Sequence, residues 1–355
     1  MPTSSRRRRR RTARSRRRSA ARGRPGGTRG PDLPRALVLG GTGLVGRAVA
    51  RRLLASGWDV DVTGRDPSHC RAGRFVAANR HDPAELRAAF GDGADLLVDC
   101  IAYTAADARL LVPFVHEATS TVLISSKAVY ADANGDHSNS ERSPDFGGPV
   151  RETQATVRPR EDIPYDSREG YGANKAAAEQ VLLESGAPVT VLRPSKIHGE
   201  GASPPREWLY VRRVLDRRPA VFLAHRGEGV DHPTAAASIA ALVETVAAKP
   251  GARILNSADP DAPSALEISR AVARHLGHEW EEVLVDDDSL GAHPWDKRPP
   301  FVLDTNAATA LGYEPVGDYA ATVAEEIDWL VRERPALDEQ FAGAFDYAAE
   351  DARLG

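Results

Sequence analysis

A short apolar run, Ala36–Leu39, leads directly into Gly40-Gly41-Thr42-Gly43-Leu44-Val45-Gly46, and a helix-like stretch follows from Leu44 to Ser56. Glycines at 40, 43 and 46 let the backbone turn sharply and approach a bound group closely. Free N–H groups at the start of the helix then offer a seat for a pyrophosphate. Placed after an apolar strand at the head of the folded region, this turn points to a dinucleotide-binding α/β sheet. Gly40, Thr42, Gly43, Leu44, Val45 and Gly46 are its candidate contacts.

The chain that follows keeps to the alternation such a sheet needs. Val60–Thr63, Phe75–Ala77, Leu96–Cys100, Val122–Ser125 and Val189–Leu192 read as strands. Pro83–Phe90, Ala106–Ala118 and Asn174–Glu184 read as helices, the first with Asp82 as N-cap and proline at the first helical position. Apolar strands separated by helices predict a doubly wound parallel sheet covered on both faces. Beyond Gly199 the pattern gives helices Arg206–Arg217, Ala235–Ala248, Ser264–Leu276 and Tyr319–Arg332, with strands Ala220–Leu223, Arg253–Asn256 and Glu282–Val285. The expected division is a dinucleotide-binding domain over 35–200 and a smaller C-terminal α+β substrate region over 201–335. Within the latter, 231–258 returns to the main sheet, and 336–355 form a tail. The loop Ala131–Gly170 is long, polar and punctuated by proline, as a lid or specificity loop would be.

Charge is distributed unevenly. Residues 1–35 carry fourteen arginines and one acid, leaving 33 basic against 49 acidic residues, or about −16 in formal charge, from Ala36 onward. The first 34 residues hold too little apolar surface to offset their ordering entropy, so disorder is expected there. They read either as a basic arm for nucleic acid or as a product of a misassigned start, Leu33 being the alternative opening. The chain's forty-two arginines against five lysines fit the GC-rich coding that the second reading supposes. No apolar h-region follows the basic stretch and no run of 18 apolar residues occurs, so neither a signal peptide nor a membrane span is expected. Cys70 and Cys100 are expected as thiols in a reducing, cytoplasmic setting.

Chemistry enters with Tyr171 and Lys175, four apart at a helix start and so on one face. A phenol is too weakly acidic to act at neutral pH unaided, and a nearby ammonium would stabilise its phenolate. Ser125 and Ser126 end a predicted strand at the sheet edge where ligands bind. After the second strand, an acid would accept bonds from ribose hydroxyls and an arginine would fork onto a 2′-phosphate. Arg65 favours NADP over NAD, although Asp66 follows it directly. His198, His225, His232 and His293 lack metal-ligand spacing, so no metal is expected. His198, after the sixth strand, and Trp208 are candidate substrate contacts. Trp208, Tyr210 and Trp295 are equally readable as core.

Four motifs in this order, Gly40–Gly46, Ile124–Tyr130, Tyr171-Gly172-Ala173-Asn174-Lys175 and Leu192–Gly199, resemble the extended short-chain dehydrogenase/reductases, the NAD-dependent epimerase/dehydratase group. The resemblance spans roughly Arg35 to Leu330. It implies a Rossmann domain, a bound nicotinamide dinucleotide and a small-molecule substrate, nucleotide sugars included. Carried over, Ser126 matches the catalytic hydroxyl, Tyr171 the proton donor or acceptor, and Lys175 the group that lowers its pKa and holds the nicotinamide ribose. Asp82 matches an adenine contact, Ile101 and Ala102 a backbone lining, and Pro194 a position near the carboxamide. Ser126-Lys127-Ala128 lacks both acids of the family's Thr-Asp-Glu dehydratase signature, which argues against 4,6-dehydration. Family members often dimerise through the helices matching Ala106–Ala118 and Tyr171–Glu184. The resulting expectation is an NAD(P)-dependent reductase or epimerase. The alternative is a non-catalytic nucleotide-sensing or RNA-binding relative.

Overall fold

A computed structural model describes residues 33–336 and 339–355. Expectations for the arginine-rich segment 1–32 lie outside the described residues. Leu33–Gly355 form one compact unit. It opens with β1 (Arg35–Leu39), α1 (Leu44–Ala55), β2 (Asp59–Thr63), β3 (Arg74–Phe75), α2 (Pro83–Phe90) and β4 (Leu96–Asp99). Next come α3 (Ala105–Val115), β5 (Ser120–Ile124), α4 (Gly170–Leu183) and β6 (Val189–Pro194). The C-terminal part holds β7 (Lys196–His198), α5 (Trp208–Leu215), β8 (Ala220–Leu223), β9 (Pro233–Ala235), α6 (Ala236–Ala247) and β10 (Arg253–Ser257). It continues with α7 (Ala265–His275), β11 (Glu281–Leu284), α8 (Asn306–Ala310), α9 (Tyr319–Thr322), α10 (Ala324–Glu333) and α11 (Tyr347–Leu354).

Seven strands make one parallel sheet in the order β10-β6-β5-β4-β1-β2-β3. Successive side chains of a strand point to opposite faces, so an apolar strand feeds two cores. Ala36 and Val38 of β1 pack in the layer with α1 and α6, while Leu37 and Leu39 join the layer with α2 and α3. β4 and β5 divide likewise, Val98 and Val122 on one side, Leu97 and Leu123 on the other. This is the doubly wound Rossmann architecture the sequence predicted.

The strand expected at Arg253–Asn256 is β10, paired with β6 at the edge of the main sheet. The C-terminal part builds two parallel ribbons, β11 with β8 and β7 with β9. A third core forms where α5, α7 and α10 pack, with Tyr210 stacked on Trp295 at 5.6 Å between ring centroids. β7 and β9 were not foreseen, and the final predicted helix divides into α9 and α10 at Val323.

Candidate active site

Gly40 turns the chain out of β1 with φ of +78°, a conformation that favours glycine. A Cβ on Gly40 would lie 2.6 Å from Ile101 Cγ2, and one on Gly46 would press into the Gly40 carbonyl. α1 can therefore close on the turn only because residue 46 has no side chain. Gly43 is the N-cap, no side chain caps the helix, and no acid occupies its first turn. The N–H groups there are left to an anion, with the helix dipole behind them.

That turn forms one end of a cleft of about 740 Å³ along the C-terminal edge of β1, β4, β5 and β6. Ile101, Ser126, Tyr171, Lys175 and Pro194 line it together with Gly40 and Gly43–Gly46. The neighbouring serines have separate duties. Ser125 Oγ donates to the buried Glu179, which also holds Arg193 at 2.6 Å. Ser126 lines the cleft together with Tyr171, where its hydroxyl acts on the phenol, and its Oγ accepts from Ala128 N at 3.1 Å.

Tyr171 and Lys175 lie in the first two turns of α4. Lys175 Nζ donates to Ala102 O at 2.8 Å and Ile124 O at 3.0 Å and stands 4.6 Å over the Tyr103 ring. Burial pulls its pKa down to about 8, against the opposing carboxylates Asp99 and Glu179. Burial also raises the Tyr171 phenol above its ordinary value, opposed by the neighbouring Ser126 hydroxyl. The groups acting on the phenol are thus Ser126 and Tyr103. Lys175, expected to lower the phenol's pKa, lines the same cleft with its ammonium turned to two carbonyls.

Other expected contacts have different surroundings. Asp82 accepts from Ala84 N and Glu85 N as the N-cap of α2, which leaves its carboxylate to its own helix and outside the cleft lining. The acid buried beside the cofactor edge is Asp99, which accepts from Ile101 N at 2.7 Å and from Arg80 at 3.0 Å. Ala102 contributes its carbonyl to Lys175, and Thr42 packs where a Cβ on Gly64 would have to go. Arg65 is exposed two residues past the end of β2, with no hydrogen bond to the described residues, whereas Asp66 caps the next turn through Ser68 N. His198 is buried with Nε2 2.8 Å from Asp259 and lines a second pocket behind α1. Trp208 packs in the third core. Neither meets the cleft, because β7 turns His198 behind the sheet edge and α5 presents Trp208 to Trp295 and Tyr210.

Sequence reasoning did not single out the far end of the cleft. Lys127, Lys196, Arg206, Asp231 and Lys297 all line it, as do Ser138 and Asn139 of the long loop. Asp231 accepts from Lys127 Nζ and, at 2.7 Å, from Lys196 Nζ. Burial, then the surrounding cations Lys196, Lys297 and Arg206, pulls the Lys127 ammonium well below the ordinary lysine value. These residues come from five separate chain segments, so no local spacing announces them.

A doubly wound sheet that opens on a glycine turn and gathers serine, tyrosine and lysine at one edge is the architecture of the extended short-chain dehydrogenase/reductases. The chain belongs to the NAD dependent epimerase/dehydratase family, whose description it matches over residues 36–230. It is 26% identical over 319 residues to a probable dTDP-4,6-dihydroxy-2-methyloxan-3-one 4-ketoreductase of Streptomyces antibioticus, covering 85% of this chain and 97% of that protein. In fold it resembles the Thermus thermophilus UDP-glucose 4-epimerase in complex with NAD, at 17% identity and a TM-score of 0.62, covering 85% of this chain and 100% of that one. It likewise resembles the Bacillus anthracis dTDP-glucose 4,6-dehydratase in complex with NAD, at 15% identity and a TM-score of 0.63, covering 85% and 98%.

Proposed function

We propose that the protein is an NAD(P)-dependent oxidoreductase that reduces a carbonyl carbon of a small molecule, with Ser126, Tyr171 and Lys175 as its working residues. The observation that carries this reading is the meeting of Ser126, Tyr171 and Lys175 in the one cleft that begins at the glycine turn. The glycine cradle, which side chains would fill, fits a pyrophosphate on the N–H groups of Leu44, Val45 and Gly46. Lys175 has a third N–H to give a ribose hydroxyl beyond its two carbonyls. A bound nicotinamide supplies the hydride.

Ser126 and Tyr171 position the substrate oxygen between two hydroxyls. A phenol raised by burial keeps its proton at neutral pH, so Tyr171 gives that proton to the oxygen as charge develops there. This suits reduction, in line with the ketoreductase name of the Streptomyces relative. Epimerisation by transient oxidation would use the same residues. Elimination of water from a sugar would need acids that Lys127 and Ala128 do not provide, and Asp231 is engaged by two lysines.

Arg65 supports NADP, since it is exposed just past β2 with no hydrogen bond to the described residues and its guanidinium is free to fork onto a phosphate. The NAD complexes of the structural relatives weigh toward NAD. Titration of nicotinamide fluorescence with NADPH and NADH decides between them. Arg65→Ala is expected to weaken NADPH about tenfold or more and leave NADH unchanged. Tyr171→Phe, assayed for NADPH oxidation over a carbonyl panel that includes dTDP-linked keto sugars, is expected to lose about 10²–10⁴-fold in kcat with cofactor binding intact. Full activity in that variant would overturn the assignment.

A further inference from the structure

The inner end of the cleft holds more positive charge than its own acids answer. Lys127, Lys196, Arg206 and Lys297 line it, and one lining carboxylate, Asp231, stands among them. Asp231 is shared by Lys127 and Lys196, which also reaches the Pro294 carbonyl. Lys297 donates to Ser138 O at 3.1 Å and Arg206 to Ile197 O at 3.2 Å, both neutral acceptors. Behind Arg206, Glu207 accepts from Tyr319 Oη at 3.1 Å, and Glu326 is driven toward its neutral form by burial and by Glu207. Lys127 is only 7% exposed, so its ammonium has little water to stabilise it.

Uncompensated cations in a low-dielectric cleft are costly unless something pairs with them. Two hydroxyls lie at the same cleft: Ser195 Oγ and Ser138 Oγ are both buried and have no hydrogen-bond partner among the described residues. Ammonium, guanidinium and hydroxyl donors converging on one place, with a single acid already doubly bonded, form a receptor for oxygen anions.

We propose that this end of the cleft binds an ionised carboxylate or phosphate ester carried on the substrate's own reacting skeleton. The inference rests on the oxidoreductase reading for what the substrate undergoes, and stands apart from it for what is bound. Ser126, Tyr171 and these cations line one cleft, so the anion and the reacting oxygen belong to the same bound molecule. The substrate is then a compact hydroxy or keto acid, or its phosphorylated counterpart. A cleft of about 740 Å³ that must also admit the nicotinamide end of a cofactor suits a small molecule of this kind.

Malonate and inorganic phosphate are the probes, titrated into the full chain with NADPH present, using nicotinamide fluorescence and calorimetry together. dTDP serves as the nucleotide comparison. Lys196→Gln and Lys297→Gln are each expected to weaken the better-bound probe about tenfold while NADPH affinity stays the same. The arginine-rich N-terminal segment is common to all variants, so binding through it would not differ among them. The better probe separates a carboxylate from a phosphate ester. Lys297→Gln alters a side chain at the cleft rim and keeps the test open if the Lys196 variant fails to fold.

Equal probe affinities in wild type and variants would overturn the receptor. So would dTDP binding more than tenfold tighter than both probes through the same lysines, which would assign these cations to a nucleotide's diphosphate. Loss of probe binding in the variants of a protein that binds neither NADPH nor NADH would leave the receptor standing and remove the oxidoreductase reading instead.

Discussion

His232 is held neutral from both edges of its ring. Leu303 N donates to Nδ1 at 3.1 Å, which leaves the proton on Nε2, 2.8 Å from Asp259 O. Burial, with the nearby Lys127 ammonium adding to it and the Asp259 carbonyl opposing, lowers its pKa from 6.5 to about 4. The unfolded chain therefore takes up the proton first as pH falls. The contribution to stability is complete above about 6.5 and is lost between there and about 4, amounting to roughly 3 kcal/mol. Urea midpoints measured at pH 7, 5.5 and 4.5 are expected to fall more steeply in wild type than in His232→Gln; parallel curves would refute this. At this scale the sequence was legible where a residue's neighbours in the chain decide its role. Ser126, Tyr171 and Lys175 met as expected because one strand end and one helix face present them. Asp82 was legible as the N-cap of α2, since an aspartate before a proline at a helix start satisfies its own N-terminus. The surroundings of His198 and Trp208 were not legible, since they depend on a ribbon and a core assembled from distant segments.

Among the elements, α4 does the most to set the site. Sequence pattern starts this helix at Asn174, but it begins at Gly170. The two glycines that make the first turn a poor helix former are there for packing: a Cβ on Gly172 would strike the Ala128 carbonyl, and one on Gly170 the Pro164 carbonyl. α4 thereby lies against the turn Lys127–Val129 and brings Tyr171 to Ser126. Gly172→Ala is expected to push the helix away, costing about 1–3 kcal/mol in stability. It should reduce turnover well beyond what the fraction of folded protein explains, as parallel denaturation and NADPH-oxidation measurements would show. β7 and β9 escaped the sequence reading because each has three residues, and only their pairing across the fold, Lys196 with Pro233 through His198 with Ala235, makes them strands.

The whole molecule is interleaved. The main sheet takes six of its strands from residues 35–194 and its last, β10, from Arg253–Ser257, after the chain has built β7, β8 and β9. Alternation of strands and helices made this return readable, since apolar strands without partners have nowhere else to be buried. The cationic end of the cleft was not readable, because its members reach one place only through that return and through the pairing of Asp231 with Phe301. A fragment of residues 33–230 would leave the edge of β6 bare, along with the apolar faces that α6 covers. It is expected to aggregate rather than fold, whereas 33–355 remains monodisperse on size exclusion, and a soluble, cooperatively melting fragment would contradict this.

The late arrival of β10 also bears on how such a protein can change its substrate over generations. A single recombination joint near residue 200 would deliver a foreign partner for β6 together with any new specificity region, and the sheet would have to accept both at once. Exchange of the substrate half as a cassette is thereby discouraged. Diversification is left to single replacements around the cleft, where Lys127, Lys196 and Lys297 can each be altered while the frame is inherited whole.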